Sequence, residues 1–241
     1  MIRLATSTAL ALCLAATSVS AEDLSREQMQ ELVLQTIHEN PEIIMEALQT
    51  LQARKDQDDA SQAQAVLSAN RAALEQDPNA PVLGNPEGDV TVVEFFDYNC
   101  GYCRRTFEDV HTLMSDDTNV RVVMREWPIL GEESVYAARA SLASRNQGKY
   151  EEFHNALMRN EGRANEASVM RIAGELGMDV EQLKLDMDAP EVVAHIQTSM
   201  QLTQALGLNG TPAFIFGEQL VPGAIELEQM QALVAQSRDA G

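Results

Sequence analysis

The chain has 241 residues, and 17 lysines and arginines against 37 aspartates and glutamates give it a formal net charge of −20 at pH 7. Such an excess of acidic charge repels the phosphates of nucleic acids and anionic lipid surfaces, so we expect neither as a partner. The length allows one ordinary domain with an appendage, and the acidity suits a polar, well-solvated surface.

The first 21 residues have the pattern of a secretory signal peptide. Arg3 provides a basic start, an apolar stretch runs over residues 4–16, and a small residue, Ala21, precedes the expected cleavage site. The apolar stretch is too short to span a membrane. Cleavage would remove Cys13, and export would take the mature chain to an oxidising compartment, where disulfides persist.

Residues 22–80 have the composition of a helical extension. From residue 23 to residue 77 the chain contains one proline and no glycine, which favours helix. Apolar side chains recur at helical spacing in two short stretches, namely Met29, Leu32, Val33 and Ile37, then Ile44, Ala47, Leu48 and Leu51. Two short apolar faces cannot build a core alone. We therefore expect a homo-oligomer held together by these helices, with packing on the main domain as the alternative.

A segment dense in proline, glycine, asparagine and aspartate, DPNAPVLGNPEGD, leads into a main domain over residues 81–241. The strand pattern VTVVEFFDY, the helix pattern CGYCRRTFEDVHTLM and the strand pattern NVRVVMREW follow in turn. Helical segments then occupy about residues 131–206, before a short strand, AFIFG, and a closing helix. This order predicts an α/β fold with an all-helical insertion. Arg125 and Glu126 end the second strand, and we expect them to form a solvated pair.

Without Cys13, the cysteines of the mature chain are Cys100 and Cys103, separated by Gly101 and Tyr102. A helix is predicted to begin near Cys100, where unpaired amides carry a positive partial charge that favours a thiolate. Cys100 would attack an external disulfide, and Cys103, one turn further on, would resolve the mixed disulfide. The alternatives are a zinc site, which lacks further ligands, a structural crosslink, which closes a very small loop, and a copper(I) site.

The stretches EFFDYNCGYCR, REWPILGEES and GTPAFIFG together resemble the thioredoxin superfamily, and within it the secreted DsbA-like branch. The resemblance covers about residues 85–241, and the layout with N-terminal helices is most similar to the ScsC-like group. It implies a thioredoxin-like fold and a periplasmic thiol–disulfide oxidoreductase with a redox-active disulfide between Cys100 and Cys103. Its partners would be cysteine-containing exported proteins and a membrane redox partner. We expect no metal and no cofactor.

The resemblance also assigns roles around the two cysteines. Pro212 matches a cis-proline that faces the redox pair, and Thr211 before it would offer its backbone to a substrate peptide for strand-like pairing. Gly101 would keep the approach to Cys100 open, and Tyr102 is expected to be exposed. These four residues are the predicted substrate-binding set.

Glu94, six positions before Cys100, matches the family's buried acidic residue. Burial would raise the pKa of this carboxyl and let it pass protons to or from Cys103. A surface carboxylate on a half-exposed strand is the alternative interpretation.

Whether the pair makes disulfides or rearranges them is indicated by two local features. The Gly-Tyr dipeptide and the threonine before the cis-proline are similar to periplasmic disulfide isomerases of the DsbC type, which agrees with an oligomer. The DsbA-like domain as a whole suggests a disulfide-forming oxidase. We predict isomerase or reductase activity, with an oxidase as one alternative and a copper(I)-binding chaperone as a rival from another class.

Overall fold

The computed structural model describes residues 25–240. The chain divides into two compact units, with the division between Asp56 and Gln57. Among the described residues, no helix combines the length and the apolar character needed to cross a membrane. The predicted signal peptide lies outside the described residues.

The first unit consists of helix α1 (Arg26–Glu39) and the beginning of helix α2 (Glu42–Glu75). A capping box starts α1: Gln28 N donates to Ser25 Oγ at 3.2 Å, and Ser25 N donates to Gln28 Oε1 at 2.8 Å. No side chain in residues 25–56 is buried. The large apolar side chains exposed in this unit are Met29, Leu32, Val33, Leu34, Ile43, Ile44, Met45, Leu48 and Leu51.

A mixed five-stranded sheet forms the centre of the second unit. Its strands are β1 (Val82–Gly84), β2 (Val90–Phe96), β3 (Val120–Glu126), β4 (Ala213–Phe216) and β5 (Gln219–Pro222). They lie in the order β1-β3-β2-β4-β5, with β2 and β3 parallel and the other neighbouring strands antiparallel. β2 and β3 are therefore interior strands, with a partner on each side.

Helices surround this sheet. Besides the end of α2, the second unit contains α3 (Gly101–Asp116), α4 (Glu132–Ala143), a 3₁₀ turn (Ser144–Gln147), α5 (Tyr150–Met158), α6 (Glu166–Glu175), α7 (Val180–Asp186), α8 (Pro190–Ala205) and α9 (Leu227–Ala240). α4 to α8 all lie between β3 and β4 in the chain. The predicted α/β fold of thioredoxin type, with an all-helical insertion and an N-terminal helical extension, is confirmed.

The β2 strand is buried on both faces because its side chains alternate between two parts of the core. Val93 and Phe95 belong to a cluster with side chains from the end of α2 and from α8. Val92 and Phe96 belong to a cluster with side chains from α3, α9 and the insertion. The unbroken apolar run that predicted this strand thus reflects two covered faces, and it places the residues after Phe96 at the edge of a rigid sheet.

The end of α2 is part of the second unit. Leu67 and Leu74 are 3% and 2% exposed and pack in the cluster that contains Val93 and Phe95. The division between the units therefore falls inside α2, whereas the sequence placed a boundary near residue 80. The physical reason is that these two leucines cover one face of the sheet.

Arg125 is not solvated, contrary to the expectation from the sequence. Its side chain is fully buried, Nη1 lies 2.7 Å from Asp77 Oδ2, and Nη2 donates to the carbonyl of Ala73. Burial alone would raise the pKa of Asp77, but hydrogen bonds from Asn79 N and Arg125 outweigh it and lower this pKa. A charge at the end of an interior strand is thus paired with the segment that follows α2.

Glu126 is also buried, and the expectation of a solvated pair is wrong for it too. Its side chain is 1% exposed and meets Tyr150 and His195 of the insertion instead of Arg125. The cause is the insertion itself, since α5 and α8 cover the end of β3. Strand pattern and charge alone did not indicate this cover.

We expect Asp77→Asn to lower the free energy of unfolding by about 3–5 kcal/mol, because it leaves the guanidinium of Arg125 buried without a counter-charge. Urea unfolding at neutral pH measures the loss. The control is Glu175→Gln, which breaks the exposed Arg171–Glu175 pair at 2.8 Å and should cost less than about 1 kcal/mol. Equal losses in the two variants would contradict the assignment of Asp77 as the buried counter-ion.

Candidate active site

Cys100 occupies the N-cap position of α3, directly after β2 and a short turn. Its backbone is extended, with φ −79° and ψ 117°, and its Sγ accepts a hydrogen bond from Cys103 N at 3.4 Å. N-cap side chains usually offer an oxygen to these free amides. Here the group in that position is the Cys100 sulfur. The free amides of the helix start stabilise this sulfur most when it is a negatively charged thiolate.

The pKa of Cys100 is lowered to about 5. The largest cause is a hydrogen bond from the Cys103 thiol, and Thr211 and the amides of Cys103 and Tyr102 add to it against the opposing effect of burial. At neutral pH the sulfur is therefore a thiolate. This is the ionisation state that attacks a disulfide.

Cys103 has the opposite character. Its side chain is fully buried, and its pKa is raised well above the usual range by burial and then by the adjacent Cys100 sulfur. No disulfide joins the two cysteines in this structure. Cys100 is 6% exposed and Cys103 is fully buried, so the pair combines a sulfur of low pKa with a sulfur of high pKa behind it.

The Thr211–Pro212 peptide bond is cis and lies against the redox pair. Cys100 Sγ is 3.2 Å from the carbonyl oxygen of Thr211. Thr211 is half-buried and Pro212 is buried. The backbone of Thr211 therefore lies within reach of any chain whose sulfur contacts Cys100.

Gly101 and Tyr102 form the exposed surface between the cysteines. A side chain at Gly101 would meet no atom within 4 Å, so the space in front of it is open. Tyr102 is 58% exposed, and the guanidinium of Arg105 lies 4.9 Å from the centre of its ring. The open space and the exposed ring leave room for a peptide.

Glu94 lies in β2 and is 3% exposed, so the surface-carboxylate interpretation is wrong. It is paired in the sheet with Met124 on β3 and Phe214 on β4. Burial raises its pKa to about 8. Its charge also helps to raise the pKa of Cys103, so the two groups are in electrostatic contact.

Asp97 is a site residue that the sequence reasoning missed. It is 2% exposed, and its Oδ2 accepts hydrogen bonds from Ile129 N at 2.9 Å and Leu130 N at 3.0 Å. Its carbonyl accepts Cys100 N at 3.0 Å. Asp97 therefore joins the turn before Cys100 to the loop after β3. An aspartate directly after a buried strand, two residues before an asparagine, was the available signal.

Arg104 is a second missed residue. Its guanidinium donates to the carbonyls of Tyr98 at 2.8 Å, Asn160 at 3.1 Å and Gly162 at 2.5 Å. It thereby ties the loop between α5 and α6 to the start of α3. Only the tertiary arrangement reveals this, since arginine after the second cysteine carries no pattern of its own.

In the part of the chain that the structure describes, no group of three or more cysteine, histidine, aspartate or glutamate side chains is placed to hold a metal ion. The two sulfurs alone could bind a soft metal such as copper(I). The arrangement as it stands is suited to thiol–disulfide exchange.

We expect Glu94→Gln to stabilise the reduced protein at high pH. The folded pKa of about 8 lies above the ordinary value of 4.5, so the folded chain keeps a proton that the unfolded chain releases. The contribution of this protonated carboxyl to the free energy of unfolding is therefore fully present below about pH 4.5. It is lost as the pH rises from there through about 8. The difference in free energy of unfolding between Glu94→Gln and wild type should therefore be about 2–4 kcal/mol more favourable to the variant at pH 9 than at pH 5.

Urea unfolding of the reduced proteins across this pH range measures the difference. Glu161→Gln, which changes an exposed carboxylate, is the control and should follow wild type. Parallel pH profiles for wild type and Glu94→Gln would show that Glu94 does not hold a proton in the folded chain.

Solved structures of thioredoxin-like proteins share this fold. A thioredoxin-like oxidoreductase from Silicibacter pomeroyi DSS-3 is 63% identical, with a TM-score of 0.70 over 71% of this chain and 99% of that one. A linker-deletion variant of ScsC from Proteus mirabilis is 25% identical, with a TM-score of 0.70 over 92% and 100%. The thiol–disulfide exchange protein α-DsbA2 from Wolbachia pipientis is 29% identical, with a TM-score of 0.68 over 73% and 96%.

The curated relatives that match are much longer proteins. A Na⁺/H⁺ antiporter NhaA from Herminiimonas arsenicoxydans is 28% identical over 166 residues, which is 67% of this chain and 26% of that protein. The chain thus spans about a quarter of the length of the curated relatives it matches. Residues 91–235, more than half of the chain, match the DSBA-like thioredoxin domain. The chain therefore belongs to the DSBA-like thioredoxin domain family of thiol–disulfide oxidoreductases.

Proposed function

We propose that this protein exchanges disulfides in exported, cysteine-containing proteins of the periplasm, and that it works mainly as an isomerase or reductase. The observation that carries the proposal is the position of the Cys100 sulfur at the N-cap of α3, where it accepts Cys103 N at 3.4 Å and lies 3.2 Å from the carbonyl oxygen of Thr211. A nucleophile and a backbone group for substrate pairing are thus side by side.

The first step is attack by the Cys100 thiolate on one sulfur of a substrate disulfide. A bond forms between Cys100 Sγ and that sulfur, the substrate S–S bond breaks, and the other substrate sulfur leaves as a thiolate that takes a proton from solvent. A substrate strand paired with the backbone of Thr211 would hold its sulfur next to Cys100. The open space at Gly101 and the exposed Tyr102 accommodate the rest of the peptide.

The second step has two outcomes. In isomerisation, a different substrate thiolate attacks the mixed disulfide and releases Cys100 unchanged. In reduction, Cys103 loses its proton and attacks Cys100 Sγ, so that the two electrons of the pair pass to the substrate and the Cys100–Cys103 disulfide forms. Glu94, when ionised, would accept the proton from Cys103, because it is buried in electrostatic contact with it.

The low pKa of Cys100 supports a protein that acts in its reduced form. Stabilising the thiolate stabilises the reduced pair relative to the disulfide. Isomerisation requires a reduced pair, so this stabilisation supports it. Net reduction of a substrate is not favoured by it, because the dithiol becomes a weaker reductant. The Gly101-Tyr102 dipeptide and Thr211 agree with this direction through their resemblance to isomerases. An oxidase is the second candidate, because a stabilised reduced pair also makes the Cys100–Cys103 disulfide a stronger oxidant. A membrane redox partner would decide the working state.

We also propose that residues 25–56 join two or three copies of the chain. The support is the set of large apolar side chains that a single chain leaves exposed in α1 and at the beginning of α2. A large exposed apolar surface on a soluble domain typically marks an interaction site. An oligomer would present several redox pairs to one misfolded substrate.

We expect Cys100→Ser to abolish the reduction of insulin and the reactivation of scrambled ribonuclease, because no thiolate remains to attack. Cys103→Ser should accumulate mixed disulfides with substrate, which non-reducing gels and mass spectrometry detect. Full insulin reduction by Cys100→Ser would refute the assignment.

Reduced wild type that reactivates scrambled ribonuclease supports the isomerase. Oxidised wild type that only speeds disulfide formation in reduced ribonuclease would favour the oxidase. Tight binding of one copper(I) without either activity would favour the copper chaperone.

We expect light scattering of the mature chain to give the mass of two or three copies. The double variant Leu48→Glu, Leu51→Glu should give the mass of one copy, because it places charge on the exposed apolar face while keeping good helix formers. Leu185→Glu, at a leucine of α7 that is 73% exposed, is the control. A chain that begins at Gln57 should also be monomeric, because it lacks the exposed apolar side chains of residues 25–56. It should still fold, because it keeps Leu67, Leu74 and Asp77. A monomeric wild type would contradict the proposal.

A further inference from the structure

A line of buried polar side chains leads from the helical insertion to the turn before Cys100, and the exchange steps above do not use it. Oε1 of Glu126 accepts the hydroxyl of Tyr150 at 2.7 Å, and its Oε2 lies 2.7 Å from His195 Nε2. Tyr98 completes the line next to Tyr150. Each of the four side chains is at least nine-tenths buried.

The Glu126–His195 pair anchors one end of this line. The carboxyl and the imidazole are in close contact away from water, so each gives the other a polar partner that burial would otherwise remove. The backbone N of Glu126 lies 3.3 Å from the same imidazole nitrogen. Arg125 and Asp77 form the neighbouring buried ion pair, and their charges act on Glu126 and His195. Glu126 is therefore fixed by groups from α5, α8 and its own strand.

Tyr98 anchors the other end. Its hydroxyl lies 2.6 Å from Ser141 Oγ and 2.9 Å from His154 Nδ1, and it also interacts with the hydroxyl of Tyr150. Tyr150 stacks on His154, with ring centres 5.8 Å apart and planes 18° apart. The phenol of Tyr98 is thus held by α4 and α5 together.

Tyr98 is also part of the active-site turn. It precedes Cys100 by two residues, and its carbonyl accepts Arg104 Nε at 2.8 Å. The backbone of Tyr98 is thereby joined to the residue that follows Cys103. Any shift of this tyrosine moves the backbone that presents Cys100 to the first amides of α3.

Well-packed apolar side chains of similar volume would hold the insertion equally firmly, since buried ionic and polar groups rarely add net stability. Directional polar contacts such as Tyr150–Glu126 and Tyr98–His154 instead favour one arrangement of the elements that they join. We propose that Glu126 and Tyr150 are positioning residues that, through Tyr98, fix the turn carrying Cys100. This inference rests on the proposed function, in which Cys100 is the nucleophile.

The test is Tyr150→Phe, which removes one hydroxyl from the line and keeps the ring. We expect the pH midpoint of Cys100 thiolate formation, followed by absorbance at 240 nm, to rise by about half a unit. The equilibrium constant with glutathione should change by about threefold or more, because it follows thiolate stability. Tyr136→Phe makes the same change on α4 outside the line, and it should match wild type in both measurements.

Tyr98→Phe should show the same effects, and the double variant should be less than additive, since both hydroxyls belong to one line. If Tyr150→Phe and Tyr98→Phe fold and match Tyr136→Phe in both measurements, the proposal is overturned. Where a tyrosine variant does not fold, Glu126→Gln, which keeps the shape of the side chain, decides by the same criteria. Neither measurement requires turnover of a protein substrate. A wild type that fails to reduce insulin would therefore overturn the proposed function alone.

Discussion

The sulfur of Cys100 at the N-cap of α3 is the interaction on which the site depends. Unpaired amides at the start of a helix favour negative charge, and here Cys103 N points at a sulfur 3.4 Å away. A hydrogen bond from the Cys103 thiol, followed by Thr211 and these amides, lowers the pKa of Cys100 to about 5, so the sulfur is a thiolate at neutral pH. Every other element of the site either places this sulfur at the helix start or makes use of its charge.

Placing the sulfur there requires a rigid strand-to-helix turn. β2 is an interior strand with both faces covered, so its end cannot move independently of the core. Asp97 and Arg104 then tie the turn to the loop after β3 and to the loop between α5 and α6. The insertion is thus a support for the turn as well as a cover over the sheet.

The same burial that makes the turn rigid creates a set of charges that water does not reach. Arg125 is paired with Asp77, Glu126 contacts His195 and Tyr150, and burial raises the pKa of Glu94 to about 8. The three acidic groups differ in their buried partners because they lie in different parts of the fold. Only Glu94 is left without an ionic partner, among the three acids, and it is also the one in electrostatic contact with Cys103.

The sequence by itself determined the fold class and predicted Cys100 and Cys103 as a pair at a helix start, because both are local patterns. Unbroken apolar runs indicate interior strands, and two cysteines at a helix start indicate a thiolate with a resolving thiol behind it. The cis bond before Pro212 and the burial of Glu94 were accessible through resemblance. What the tertiary structure decided is the state of groups whose surroundings come from distant segments. Arg125 and Glu126 look solvated in the chain, yet α2, α5 and α8 bury them. Nothing in the sequence distinguishes Tyr98 from the other aromatic residues near the cysteines, yet in the fold its hydroxyl interacts with Ser141, Tyr150 and His154. Contacts between segments far apart in the chain set these environments, and no local pattern encodes them.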